Sequence, residues 1–283
     1  MLRSLLTAVL FAATLVAGTP QFDQALELYH RTDYHKSLAV LEKIKDRDAA
    51  TQNLIGQNHF MLGEYKKATE WFEKAVALAP NNSEYVHWLG RTWGRRAETG
   101  NLFVQPGYAS KARQYFERAV ALDSKNGEAV NDLFDFYLEA PGFLGGGTHK
   151  AEALAKHIAE LDAAEGHYAL AQIADRKKEY DTAEQQLRRA AELAPRQVGR
   201  ILDLAKFLSK RGRVKESEAM FDQAAKMAPN SPKVLYERAA TYVKEHRNLK
   251  EARELLEQYL RSPLTPEDPS RERAEALLKK TGS

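Results

Sequence analysis

Cysteine is absent from all 283 residues. That excludes disulfides, thiolate metal sites and cysteine nucleophiles, and also a lipid-bearing cysteine that would tether an exported bacterial protein to a membrane. An excess of one charge is missing as well: 42 basic side chains nearly cancel 39 acidic ones, leaving a formal +3. The two signs are interleaved, so no basic stripe exists for a phosphate backbone and nucleic acid is not an expected partner. Glycine and proline number only 16 and 10, while Ala, Leu, Glu, Lys and Arg dominate, a composition that favours helix nearly throughout. No His-Glu-x-x-His and no Gly-x-Ser-x-Gly occurs, and His30 and His35 bracket an expected surface turn. Neither a metal, nor a cofactor, nor a catalytic group is therefore expected.

Long apolar runs are lacking except at the amino terminus. Arg3 precedes an apolar stretch from Leu5 to Ala17, and Val16-Ala17-Gly18 offers small residues where a signal peptidase cuts. Residues 1–18 are expected to be a signal peptide, cleaved after Gly18. The run falls short of the roughly 20 apolar residues that cross a bilayer, and no later segment is more apolar. The expectation is an exported protein, periplasmic with secretion as the alternative, and with no stable membrane insertion after cleavage.

What the chain does have is a period of 34 residues. Tyr65, Ala68, Phe72, Ala75 and Pro80 recur in register as Tyr180, Ala183, Leu187, Ala190 and Pro195. This pattern resembles the tetratricopeptide repeat. Seven units begin near Gly18, Ala49, Ser83, Gly127, Ala164, Val198 and Pro232; those at 49–82, 164–197 and 198–231 keep the full length. The resemblance implies an all-α fold: a right-handed superhelical solenoid of antiparallel helix pairs A and B over residues 19–262. Small residues stand where A and B touch: Gly56, Gly90, Ala171, Ala205 and Ala239 at the eighth position, Ala68, Ala112, Ala151, Ala183 and Ser217 at the twentieth. Leu41, Phe72, Phe116, Leu187 and Phe221, at the twenty-fourth, fill the space between pairs. Pro80, Pro195 and Pro229 end B helices. Residues 263–283 read as a loop and a capping helix with Ala274, Leu277 and Leu278 on one side, since a terminal unit needs a polar cover.

Two insertions interrupt the pattern between A and B helices, at 97–108 and 141–149. The second, with the stretch running on from Ala121, resembles exported bacterial repeat proteins that carry a proline- and glycine-rich loop here. Both loops hold apolar residues, among them Leu102, Phe103, Val104, Phe143 and Leu144, and two readings follow: a satellite core over the turns, or a lip on the binding groove with Phe103 and Phe143 at its edge. The sequence Gly-Phe-Leu-Gly-Gly-Gly-Thr at 142–148 half resembles a phosphate-cradling loop. It lacks the lysine and the preceding strand of that motif, and a turn that opens the next helix accounts for its glycines.

The resemblance places a binding groove on the concave face of the A helices. Carried over residue by residue, the positions are Asn53, Gln57, His87, Arg91, Arg95, Asn131, Asp135, Tyr168, Gln172, Arg176, Lys206 and Tyr236, with Leu202 as an aliphatic interruption. Some family members clamp a carboxy-terminal peptide with Lys and Asn at the fifth and ninth positions. Here those positions hold Asn53 and Gln57, then Glu128, so that clamp is not reproduced. The expected function is a non-enzymatic scaffold of the cell envelope that binds an extended peptide or helix of another exported protein. The alternative is a small-ligand or glycan-binding solenoid whose loops form a lid over His87, Trp88 and Trp93; Trp93 itself sits at a position that normally packs inside. Nothing in the pattern fixes an oligomeric state.

Overall fold

The computed structural model describes residues 19–282, so the expected signal segment lies outside the described residues. Fifteen α-helices and no strand occur among them. Fourteen of the helices form seven antiparallel pairs: α1 Pro20–His30 with α2 Tyr34–Leu41, α3 Ala49–Met61 with α4 Tyr65–Leu78, and α5 Ser83–Thr99 with α6 Gln105–Leu122. There follow α7 Gly127–Glu139 with α8 Thr148–Leu161, α9 Ala163–Lys177 with α10 Tyr180–Leu193, α11 Val198–Lys210 with α12 Val214–Met227, and α13 Pro232–Lys244 with α14 Leu249–Arg261. Each pair packs on the next, and α15 Arg271–Lys280 closes the stack against α13 and α14. The fold is the all-α solenoid with a terminal cap that the period predicts.

Short polar residues set where the A helices begin. Asp48, Asn82, Asn126 and Asp162 each accept, through the side chain, the backbone N–H three residues on, at 2.8 to 3.1 Å. Those bonds satisfy donors that the first helical turn cannot. Within pairs, Ala68, Ala112, Ala151, Ala183 and Ser217 are buried, as are Leu41, Phe72, Phe116, Leu187 and Phe221 between them. Serine replaces alanine at the twentieth position twice without leaving a buried polar atom unmatched. The Ser37 hydroxyl donates to the carbonyl of Ala25 at 2.8 Å and that of Ser217 to Ala205 at 2.9 Å. In the cap, Ala274 is buried and Leu277 and Leu278 pack on the last unit.

The insertions correct one expectation. Residues 97–108 are not all loop: α5 continues through Thr99 and α6 starts at Gln105. The second insertion makes a single 3-10 turn, Gly142–Leu144, before α8. No satellite core joins them, because Leu102, Phe103 and Phe143 are 80%, 95% and 81% exposed. Asn101 explains the first loop: its carbonyl accepts the N–H groups of Val104 and Gln105, and its side chain accepts that of Phe103 at 3.1 Å. This tight turn leaves the Phe103 ring in solvent.

The curvature also brings the two ends of the array together. Residues 31–36 of the first unit and residues 264–272 after the last pair line one cavity of about 470 Å³.

Candidate partner-binding groove

Three cavities lie along the A helices. One of about 740 Å³ runs across α9, α11 and α13, lined by Tyr168, Gln172 and Asp175, by Asp203, Lys206 and Lys210, and by Glu237 and Lys244. A second, of about 540 Å³, lies between α5 and α7. Arg91, Arg95, Asp132, Asp135 and Glu139 line it with Phe60, Phe116, Phe136 and Leu144, the last from the second insertion. A third, of about 790 Å³, is bounded by Gln57, Glu84, His87 and Glu128, by Tyr29 and His30 of α1, and by Glu267 from the carboxy-terminal loop.

Among the expected groove residues, Gln57, His87, Arg91, Arg95, Asp135, Tyr168, Gln172 and Lys206 line these cavities. Others do not. Asn53 is only 5% exposed and its side-chain oxygen has no hydrogen-bond partner among the described residues. Tyr236 is half-buried with its ring 5.2 Å from that of Tyr259, beneath the cap, and Asn131 is half-buried outside all three cavities. Arg176 is exposed and lies 3.6 Å from Glu139, joining the fourth unit to the fifth. Leu202 is buried in the core and so is Trp93. Phe103 and Phe143 stand free at the loop tips.

Charges in the groove pair across units, because a residue about one period away in sequence is a neighbour in space, and also along α11 at a spacing of three. Lys210 reaches Asp175 at 2.6 Å, and Lys206 lies 3.3 Å from both Asp203 and Glu237. Burial lowers the Lys206 pKa, but those two carboxylates outweigh it and the net shift is upward. Arg200 contacts Glu165 and Asp203 and stacks 4.5 Å over Tyr168, whose hydroxyl is pushed up by burial and by Asp203. The acidic partners Asp203 and Glu237 fall outside the inherited positions. For Glu237 the signal in the sequence was opposite charge near the repeat interval from Lys206; for Asp203 it was opposite charge three residues away on either side.

Around the second cavity the two arginines are already engaged. Arg91 stacks 4.4 Å over Trp88 and lies 3.6 Å from Asp132. Arg95 donates to the Tyr65 hydroxyl at 3.2 Å and pairs with Glu98. His87, 1% exposed, holds Asp132 from behind at 2.7 Å. Asp135 has neither an ion pair nor a hydrogen bond among the described residues. Although its side chain reaches water, desolvation by the cavity walls, then Asp132, Glu139 and Glu165, push its carboxyl up to about 6.

The glycine-rich insertion cradles nothing. The amides of Gly145, Gly146 and Gly147 donate to the carbonyls of Gly142, Pro141 and Tyr137 at 2.9, 3.3 and 2.7 Å, so they do not converge on an open site. No group of three or more His, Asp or Glu side chains placed to hold a metal ion occurs among the described residues. None of their helices is long and apolar enough to cross a membrane.

Residues 49–82 and 176–240 match models of the tetratricopeptide repeat. No curated protein matches the chain. Among solved structures, it resembles a tetratricopeptide repeat protein of Parabacteroides merdae at a TM-score of 0.60 and 13% identity, over 92% of this chain and 97% of that one. A thermophilic protein of the same kind from Thermus thermophilus aligns at 0.55 and 21%, over 66% of this chain and 97% of its own. The human IFIT1 dimer with PPP-AAAA aligns at 0.56 and 18%, over 85% of this chain and 54% of that one. At such identities the likeness concerns the fold. Two stretches of this chain thus match the tetratricopeptide repeat in sequence, and the described residues share the fold of tetratricopeptide repeat structures.

Proposed function

We propose that the protein is a non-enzymatic scaffold of the cell envelope that holds an extended peptide or a helix of another exported protein along its inner face. The observation that carries this reading is the long cavity across α9, α11 and α13. Three successive units each contribute polar side chains to one continuous open surface. Such a surface suits a long, narrow ligand and needs no reactive group. Export rests on the amino-terminal sequence pattern. Nucleic acid is disfavoured by the carboxylates of Glu84, Glu128, Asp132, Asp135 and Glu139, which line the inner face of the third and fourth units and would repel phosphates.

A pull-down from envelope extract tests the reading. The bait with Lys210→Glu and Lys244→Glu, both exposed in the groove, should lose proteins that the native bait recovers. A bait with Lys215→Glu and Lys226→Glu on α12 should keep them. Equal recovery by all three baits would remove the groove assignment. A second reading, a small-ligand or glycan-binding solenoid, is favoured by one feature only: Leu144 of the second insertion forms a wall of the cavity between α5 and α7. Isothermal titration with simple sugars addresses it.

A further inference from the structure

Two of the three cavities along the groove differ in how their charges are matched. In the one across α9, α11 and α13, every carboxylate has a cation: Asp175 has Lys210, Asp203 and Glu237 share Lys206, and Glu245 meets Arg247 at 2.7 Å. In the one between α5 and α7, two guanidinium groups face four carboxylates. Arg91 is committed to Trp88 and Asp132, Arg95 to Tyr65 and Glu98, and Glu139 lies 3.6 Å from Arg176. Of these four carboxylates, Asp135 is the one left without a cation among the described residues.

The same cavity has apolar walls. Phe60, Phe116, Phe136 and Leu144 surround about 540 Å³, with room for a large side chain and the methylene stem of a neighbour. An apolar recess calls for an apolar group, and a lone carboxylate at its mouth calls for a positive one. We propose that this cavity takes an aromatic or large aliphatic side chain of the partner peptide together with an adjacent Lys or Arg, whose charge pairs with Asp135. The assignment rests on the groove reading above and specifies the chemistry of its ligand. It is opposite in sign to a clamp for a carboxy-terminal carboxylate.

The cation would lower the Asp135 carboxyl from its raised position, so binding should weaken as pH falls through about 6. The charged groups facing Asp135 are Asp132 and Glu139 on α7, Arg91, Arg95 and Glu98 on α5, and Glu165 with the Tyr168 hydroxyl on α9; α6 presents none to the cavity.

Fluorescence anisotropy with labelled octapeptides, Gly-Ser-Gly-Phe-Lys-Gly-Ser-Gly and its Phe-Glu and Ala-Lys counterparts, tests the proposal. At pH 7.5 the Phe-Lys peptide should bind about tenfold tighter than either counterpart. Asp135→Asn should erase the preference for Lys over Glu and flatten the pH dependence between 7 and 5, with an unchanged melting midpoint. Asp181→Asn, a matched change on exposed α10, should alter neither. The proposal is overturned by equal binding of the Phe-Lys and Phe-Glu peptides, by a preference that survives Asp135→Asn, or by no binding up to millimolar protein. Any of these, alongside a pull-down that still depends on Lys210 and Lys244, would remove this cavity's assignment and leave the groove reading standing.

Discussion

Gly56 and Phe72 share a single volume: a methyl group on Gly56 would stand 2.7 Å from Cε1 of the Phe72 ring. One unit later Gly90 and Phe116 repeat the relation at 2.7 Å. The small eighth residue of helix A is thus shaped by the large twenty-fourth residue of helix B, and the repeat motif records that fit.

Gly56→Ala should therefore destabilise the protein even though alanine is the better helix former. The propensity gain is about 1 kcal/mol, while overpacking a filled core costs roughly 1–3 kcal/mol. Combining it with Phe72→Leu should cost less than the two single changes added. Gly94, in the same class of helix but with nothing within 4 Å of where an added methyl would stand, should respond oppositely: Gly94→Ala should raise stability by about 0.5–1 kcal/mol. Urea melts of the four variants check this. A stabilising Gly56→Ala would mean that the two helices stand further apart.

Gly146 is the fixed point of the second insertion. A methyl there would lie 1.9 Å from the carbonyl oxygen of Ala140, which is backbone and cannot rotate away. Gly146→Ala should displace the loop, cost roughly 1–3 kcal/mol, and open the cavity that Leu144 walls. Gly142, with nothing within 4 Å, should accept alanine at little cost. Thermal melts of the two variants give the comparison.

Phe103→Ser with Phe143→Ser should leave the melting temperature within about 2 °C of the native value, because exposed apolar side chains contribute little to folding. Partner recovery should fall if the tips border the bound chain. A large loss of stability would show that the two loops pack together after all.

Glu218 ties the sixth unit to the seventh. It accepts from the Tyr242 hydroxyl at 2.6 Å and from Arg238 at 2.7 Å, and it also contacts Arg247. Burial raises its pKa, but the bonds from Tyr242 and Arg247 and the charges of the two arginines outweigh that, so the carboxyl is held below its ordinary 4.5. A depressed folded value gives stability that is fully present above about pH 4.5 and is lost as pH falls through the lower folded value. Glu218→Gln should thus cost about 2 kcal/mol at pH 7, and the gap from the native protein should narrow as pH falls below the ordinary 4.5 and through the lower folded value. A gap constant from pH 7 to 3, measured by denaturation at each pH, would show that ionisation plays no part.

The helix pairs were legible because each unit meets the same neighbours, so small and large residues must recur at the repeat interval. Ala68 and Phe72 could be placed from sequence for that reason. Asn53 could not. Its position belongs to the groove in the repeat pattern, yet its side chain is buried and lines none of the three cavities; His87 borders the third cavity but is turned onto Asp132. The insertions misled too, since apolar composition implies burial only where a second surface comes within reach, and the Asn101 turn holds Phe103 away from one.

The amino-acid order alone determined the period, the all-helical class, the close approach of A and B helices and the cap, because these depend on contacts repeated at short, regular separations. The tertiary structure decided which charges neutralise each other, that Asp135 is left without a partner among the described residues, and that the first unit meets the carboxy-terminal loop. The charge pairing depends on how neighbouring units face each other, and the meeting of the two ends on curvature accumulated over many units. A small rotation per pair is invisible in any one repeat, but summed along the stack it settles which distant side chains meet.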